Sequence, residues 1–347
     1  MKGINRRRFL QYGGWSLATA ALGGVGAARL LGQNRATVRL SSLSSGMTAV
    51  AAQLLVRSGA AAKRGLNLEL KSFGAEISVQ NFLQGLTDVS FDFGPSQLAI
   101  SSSRFAVTVV NSVQCSQNAV IARADSGINK MEDLLNFQQR TGRKPKLGIF
   151  GRDSSNFNEL SVLLGIKFGI NRPRLEQIFD LAETSPPGLI PLLQRGDIDA
   201  ATLFDPLVLR AELDANAKII FGPYSQEFEK IWGTPKILAG IAVTVDYLKK
   251  NMDVVRRFRD AWVETAEWVS GNQYEFFREN SFKQLTGIKE DKAIDRLIER
   301  SSKLPLFTAR WDQAMKETQI RYLQAAAQQG ILPPAKGPVI ASLEDFA

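Results

Sequence analysis

The side chains best fitted to chemistry fall in short turns. Ser42, Ser44, Ser45 and Gly46 follow one apolar strand, and Gly94-Pro95-Ser96 follow another. Gly151-Arg152-Asp153-Ser154-Ser155, Thr184-Ser185 and Asp205 close three more. Hydroxyls, glycine N–H groups, one guanidinium and one carboxylate are equipment for holding a small ligand, above all an oxyanion at a helix N-terminus, where N–H groups are unpaired. They are poorly suited to turning a substrate over. The chain contains no histidine, which removes Ser-His-Asp and Cys-His catalysis and imidazole ligation of metals. The single Cys115 excludes an intramolecular disulfide and a cysteine-cluster metal site, and reads as buried and inert. No cofactor is called for.

Each turn residue has a structural use beside the ligand-binding one. Ser45 either caps its helix or meets the ligand. Asn156 with Glu159 fits an N-cap pair, leaving Ser154 and Ser155 as donors. Arg152 can clamp a carboxylate, sulfonate or phosphate through a bidentate fork, or pair with Asp153. Asp205 can receive a ligand amine or cap the helix that starts at Pro206. Ser96 and Gln97 rank with Ser44.

The elements that position these turns alternate short β runs with helical periodicity, which predicts an α/β architecture. "ATVRLSSL", "LNLELKSF", "FAVTVVNSV" and "NAVIAR" read as strands, as do "RKPKLGIF", "LEQIFDLA" and "DIDAATLF". Two stretches, "FLQGLTDVSFDFGPS" and "LLQRGDIDAATLFDP", share one layout: a helix, a Gly, a turn, an Asp, a strand and a Pro. The glycines are placed to end helices in a left-handed conformation, and the prolines to open helices where a missing N–H costs nothing. The duplication predicts two similar lobes, residues 36–120 with 238–347 and residues 123–222. Crossings near Val120–Ala124 and Tyr224–Leu238 make a hinge between them. The C-terminal helical segments, with Trp262 and Trp268 in core positions, are expected to pack on the first lobe.

The chain has 347 residues, 44% of them hydrophobic, enough for two domains. Of the net charge of +9, four positives come from Lys2, Arg6, Arg7 and Arg8. The remainder is spread without the dense basic stripe and stacking aromatics of a nucleic-acid footprint, so nucleic acid is excluded as a partner. Residues 1–30 have the layout of an export signal: a basic start, a modestly apolar Gly/Ala-rich stretch, and small residues near Val25-Gly26-Ala27-Ala28. Arg6-Arg7-Arg8-Phe9-Leu10-Gln11 resembles the twin-arginine pattern, which implies the twin-arginine translocase as an export partner and a periplasmic destination.

On "AAAKRGLNLEL", "FLQGLTDVSFDFGPSQLA", "DSGINKMEDL", "KLGIF", "LLQRGDIDAATLFDPLVLRA" and "FRDAWVETAEWVSGNQYE", the chain resembles ABC-importer substrate-binding proteins of the nitrate, sulfonate and taurine type. The resemblance implies the type II periplasmic-binding fold, with a hinge between two lobes. It also implies a monomer without enzymatic activity that captures a small anionic solute and delivers it to an ABC permease in the inner membrane. Two departures stand out: Phe204-Asp205-Pro206 replaces the family's common Trp-Glu-Pro tip, and the second-lobe loop carries Arg152-Asp153. The rival readings are an enzyme on the same architecture, as in thiamine-pyrimidine or menaquinone biosynthesis, and a ligand sensor for a membrane receptor. The pyrimidine-forming relatives depend on histidine chemistry, which this chain lacks.

Overall fold

The computed structural model describes residues 35–272 and 274–346, so the expected export signal at 1–30 lies outside the described residues. Ten strands form two five-stranded sheets. They are β1 (Ala36–Leu43), β2 (Leu66–Phe73), β3 (Val89–Phe93), β4 (Val107–Cys115), β5 (Ala119–Arg123), β6 (Lys146–Ile149), β7 (Asp180–Glu183), β8 (Ala200–Leu203), β9 (Ala217–Phe221) and β10 (Ile237–Thr244). The first sheet has the order β2-β1-β3-β10-β4 and the second β7-β6-β8-β5-β9. In each, three parallel strands carry helices in their crossovers, and a fourth strand runs antiparallel to both its neighbours: β10 in one sheet, β5 in the other. The two sheets are therefore copies of one plan: the second is continuous in sequence from β5 to β9, and the first takes β10 from beyond it.

The repeated Gly and Asp form a clamp at the amino ends of the strands. Gly85 and Gly196 stand at φ 76° and 77°, ending their helices as the left-handed conformation allows. Asp88 accepts the Arg39 backbone N–H at 2.8 Å and the Arg39 guanidinium at 2.5 and 3.0 Å. Asp199 accepts the Lys146 backbone N–H at 2.8 Å and both terminal nitrogens of Arg143 at 2.7 Å. The twin units thus fasten the third strand of each sheet to its first at the end remote from the binding turns.

Three expectations need correction. The first crossing is Ser116–Asn118, because β5 pairs with β8 and β9 in the second sheet; the expected boundary at 120–123 falls inside that strand. "LEQIFDLA" divides into a helix, Arg172–Ile178, and β7, because Asn171 caps the helix and Pro173 occupies its first turn. The tail does not rest on one half alone. The helix Met252–Gly271 packs on the first sheet and its helices, but Gln313–Gln328 wedges between the helices Pro95–Ser101 and Ser155–Phe168. Trp262 is fully buried, with Nε1 donating to the Ser112 carbonyl at 2.9 Å, and Trp268 packs at the edge of the same core.

One apolar core runs through the junction of the halves. Phe93, Leu98, Val109 and Ile237 from the first sheet's side join Val120, Leu147, Phe157 and Leu160 from the second's, with Tyr322 between. A second core fills the other face of the first sheet, and a third the far face of the second. No described helix is long and apolar enough to cross a membrane.

Candidate functional site

All the turns singled out from the sequence lie at the carboxyl ends of parallel strands, where open α/β sheets bind ligands. Ser44–Gly46 follow β1, Gly94–Ser96 follow β3, Gly151–Ser155 follow β6, Thr184-Ser185 follow β7 and Asp205 follows β8. One turn of the first half is linked at the junction to the helix that follows one turn of the second. Ser96 Oγ lies 2.7 Å from the Tyr322 hydroxyl, and the Tyr322 ring carries the Lys236 ammonium 4.5 Å from its centre. Lys236 Nζ in turn donates to Glu159 Oε1 at 2.7 Å, one turn into the helix that follows the Gly151–Ser155 loop.

In the first half, Ser42 is buried and Ser44 and Ser45 are exposed. The helix N-cap beside them is Gly46, whose own N–H donates to the Leu285 carbonyl at 2.8 Å. Asp92 holds this turn from below. Its Oδ1 accepts the Leu43 N–H at 3.1 Å and Thr48 Oγ1 at 2.9 Å, and its Oδ2 accepts from Ser78 Oγ. Burial pushes the Asp92 carboxyl up to about 6, against those three hydrogen bonds. Gly94 packs against the return strand so tightly that a Cβ there would lie 2.0 Å from the Leu238 carbonyl oxygen.

In the second half the charged turn residues are already engaged. Arg152 is exposed and bonds Glu183 Oε1 at 2.8 Å and Glu176 Oε2 at 3.1 Å, rather than Asp153. Ser154, not Asn156, caps the helix Ser155–Phe168: its Oγ accepts the Phe157 N–H at 3.3 Å and donates to the Gly151 carbonyl at 2.8 Å. Glu159 does not serve the cap either, being committed to Lys236. Ser185 precedes the helix Pro186–Arg195 without capping it through its side chain, and Thr184 beside it is half-buried. Asp205 is buried and bonds Arg300 Nη1 at 2.8 Å, while Glu212 takes Nη2 of the same guanidinium at 2.6 Å. Burial raises both carboxyls despite that shared cation.

Sequence reasoning missed two groups here. Gln117 and Asn156 are buried, yet Gln117 Oε1 and Asn156 Oδ1 have no hydrogen-bond partner among the described residues. A buried polar atom without a partner costs free energy, so such atoms mark places where another molecule can supply the missing bond. Gln117 lies in the crossing segment, and Asn156 lies one turn before Glu159 on the neighbouring helix. Helical spacing made Asn156 look like a cap, and nothing local in the sequence marks Gln117. Arg300 and Glu212 were missed for a different reason, being far from Asp205 along the chain.

A separate cavity lies away from these turns. Of about 720 Å³, it is bounded by Leu135, Gln139, Phe168 and Arg174, on the outer side of the second half near the C-terminal end of helix Ser155–Phe168. It is remote from the strand carboxyl ends and brings none of the turn residues together.

No family model matches the chain, and no curated protein matches it. Solved structures do. The periplasmic sulfonate-binding protein SsuA from Methylobacillus flagellatus KT superimposes with TM-score 0.67 at 17% identity, over 90% of this chain and 93% of that one. The alkanesulfonate-binding protein SsuA from Xanthomonas axonopodis pv. citri, bound to MOPS, gives 0.66 at 15% identity, over 88% and 98%. The periplasmic nitrate-binding protein NrtA from Synechocystis PCC 6803 gives 0.61 at 13% identity, over 89% and 86%. Two sheets of matching strand order, turns gathered at their carboxyl ends and these superpositions lead to one conclusion: the chain has the fold of the periplasmic solute-binding proteins of ABC importers.

Proposed function

We propose that this chain is an exported solute-binding component of an ABC importer, which takes a small oxyanion-bearing solute between its two halves and passes it to a membrane permease. The observation that carries the reading is the placement of two sets of hydroxyl- and glycine-bearing turns at the carboxyl ends of parallel strands, with the Gly94–Ser96 turn linked to the helix after the Gly151–Ser155 turn through Tyr322, Lys236 and Glu159. Sulfonate- and nitrate-binding proteins of the same fold support the solute class. The residues proposed to face the solute are Ser44, Ser45, Gly151, Ser155 and Thr184 as donors, and Gln117 and Asn156, whose unpartnered amide oxygens accept from an N–H or O–H that the solute carries. Ser42, Gly94, Ser96, Arg152, Ser154 and Asp205 shape the turns around it, since each is buried or already bonded within the chain. Because every cation named at these turns is matched by a carboxylate, the solute is held by neutral donors more than by net charge.

The test is a melting-temperature and tryptophan-fluorescence screen against nitrate, taurine, alkanesulfonates and pyrimidines, joined to mass spectrometry of small molecules released from freshly purified protein. A bound solute raises the melting temperature by mass action. A folded protein that responds to none of them and releases nothing on denaturation would refute the proposal.

A further inference from the structure

The buried polar network at the junction does more than fill space between the halves. Glu159 Oε2 accepts Ser116 Oγ at 2.5 Å and Asn118 Nδ2 at 2.9 Å, both from the crossing segment, while Oε1 takes Lys236 from the returning segment at 2.7 Å. Lys236 also donates to the Ile237 carbonyl at 2.8 Å and lies over Tyr322, whose hydroxyl meets Ser96. The backbones are tied at the same place: the Ser116 N–H donates to the Lys236 carbonyl at 3.0 Å and the Tyr224 N–H to the Asn118 carbonyl at 2.8 Å. Every member of this set is essentially inaccessible to solvent, with Glu159 at 0% and Lys236 at 1%.

A buried ion pair is a poor way to gain stability, because desolvation offsets most of the attraction. What it supplies is geometry, since separating the partners while both stay buried is costly. This pair stands between one binding turn and the other. The helix carrying Ser96 begins at the β3 turn, and the helix carrying Glu159 begins at the β6 turn. The core that spans both sheets surrounds it. The opposite contact between the halves, Arg300 with Asp205 and Glu212, is partly solvated, the arginine side chain being 19% exposed.

We propose that Glu159 and Lys236, acting through Tyr322 and Ser96, are positioning residues that fix the Gly94–Ser96 turn against the Gly151–Ser155 turn and so set the width of the binding cleft. The inference rests on the solute-binding reading for its consequence but not for its geometry. The test replaces the pair by a charge-neutral one, Glu159→Gln with Lys236→Met, which keeps the volume and leaves no lone buried charge. Spin labels at Asn67→Cys and Lys144→Cys, exposed positions in the first and second halves, report the distance between them. Cys115 is buried, and burial pushes its thiol up to about 12, so it takes no label.

The parent gives one narrow distance distribution. The neutral variant, melting within about 5 °C of the parent, gives a distribution at least about twice as wide and binds whichever screened solute the parent binds roughly tenfold more weakly. An unchanged distribution in a folded variant overturns the proposal. If the neutral variant does not fold, Tyr322→Phe, which deletes only the hydroxyl bonded to Ser96, carries the same test with the same two outcomes. Broadening in a protein whose parent binds no screened solute upholds the positioning role and defeats the importer reading, so the two fail separately.

Discussion

Arg152→Ala separates two accounts of how an oxyanion is held. A guanidinium free to fork onto the ligand contributes about 1.5–3 kcal/mol through charge-assisted hydrogen bonds. The Arg152 side chain is 45% exposed, with Nε engaged by Glu183, 44% exposed, and Nη1 by Glu176, 39% exposed. Pairs this exposed contribute about 0–1 kcal/mol each. For Arg152 to fork onto a ligand through two nitrogens it must leave at least one of these carboxylates, and both carboxylates then repel the anion it would hold. The substitution is therefore expected to lower stability by less than about 1 kcal/mol and to weaken binding by no more than about fivefold. Titration calorimetry with the best solute from the screen, at low and at moderate salt, measures this. A fall in affinity beyond about tenfold, with a steep salt dependence in the parent that the variant loses, would show that Arg152 reaches the ligand and that the matched-cation reasoning is wrong.

Three further outcomes follow from the same geometry. Asn156→Leu removes a buried oxygen that has no partner among the described residues; stability should hold or rise by up to about 1 kcal/mol while affinity for a solute that carries an N–H or O–H donor, such as taurine, falls roughly three- to tenfold, and unchanged calorimetric affinity for such a solute would remove Asn156 from the site. Asp92 is raised in the fold from 3.8 to about 6, so the folded state binds the extra proton across that interval and stability falls as pH rises through it, by at most about 3 kcal/mol. Asp92→Asn keeps an oxygen for Leu43 and Thr48 and offers an N–H to Ser78; urea melts from pH 4 to 7.5 should show the variant gaining on the parent as pH rises, and parallel curves would contradict the buried-carboxylate account. Among the glycines, Gly94→Ala drives a Cβ into the Leu238 carbonyl and should cost about 3 kcal/mol or more, whereas Gly151→Ala meets nothing within 4 Å and should leave the thermal melt unchanged; equal effects would mean the close approach is not what Gly94 serves.

The fold was legible because its signals are local and repeated. Alternating apolar strands, helix-ending glycines and the duplicated Gly–turn–Asp unit are all read within fifteen residues, and both α/β halves followed from them. The site was legible only to the level of its turns. Strand ends are recognisable from sequence, and so were Ser44, Ser96, Ser155 and Thr184 as residues at such ends. What occupies each turn depends on partners distant in the chain: Arg300 for Asp205, Glu176 and Glu183 for Arg152, Tyr322 for Ser96. The Lys236–Glu159 pair spans 77 positions, and neither residue stands in a pattern that distinguishes it from a surface charge. The misplaced crossing has the same origin, because "NAVIAR" reads equally well as a strand of either sheet until its partners are known.

The duplicated units also explain why the two halves can differ at the carboxyl ends of their strands. Their invariant elements, Asp88 with Arg39 and Asp199 with Arg143, sit at the amino ends of the strands and bear only on the sheets. Seven residues on, at the carboxyl ends, the prolines still correspond, but the residue before each does not: Gly94 in one half, Asp205 in the other. Gly94 lets the return strand pass at a distance no side chain permits, which draws that turn into the dry junction beside Tyr322. Asp205 instead needs a cation, and the C-terminal helix Asp291–Lys303 supplies Arg300. One seam is thereby sealed and dry, its charges paired out of solvent, the other charged and partly wet. A scaffold fastened at one end of its strands leaves the other end free to be built twice in different chemistry, and under the proposed function two such unlike walls would orient a solute that has two unlike ends.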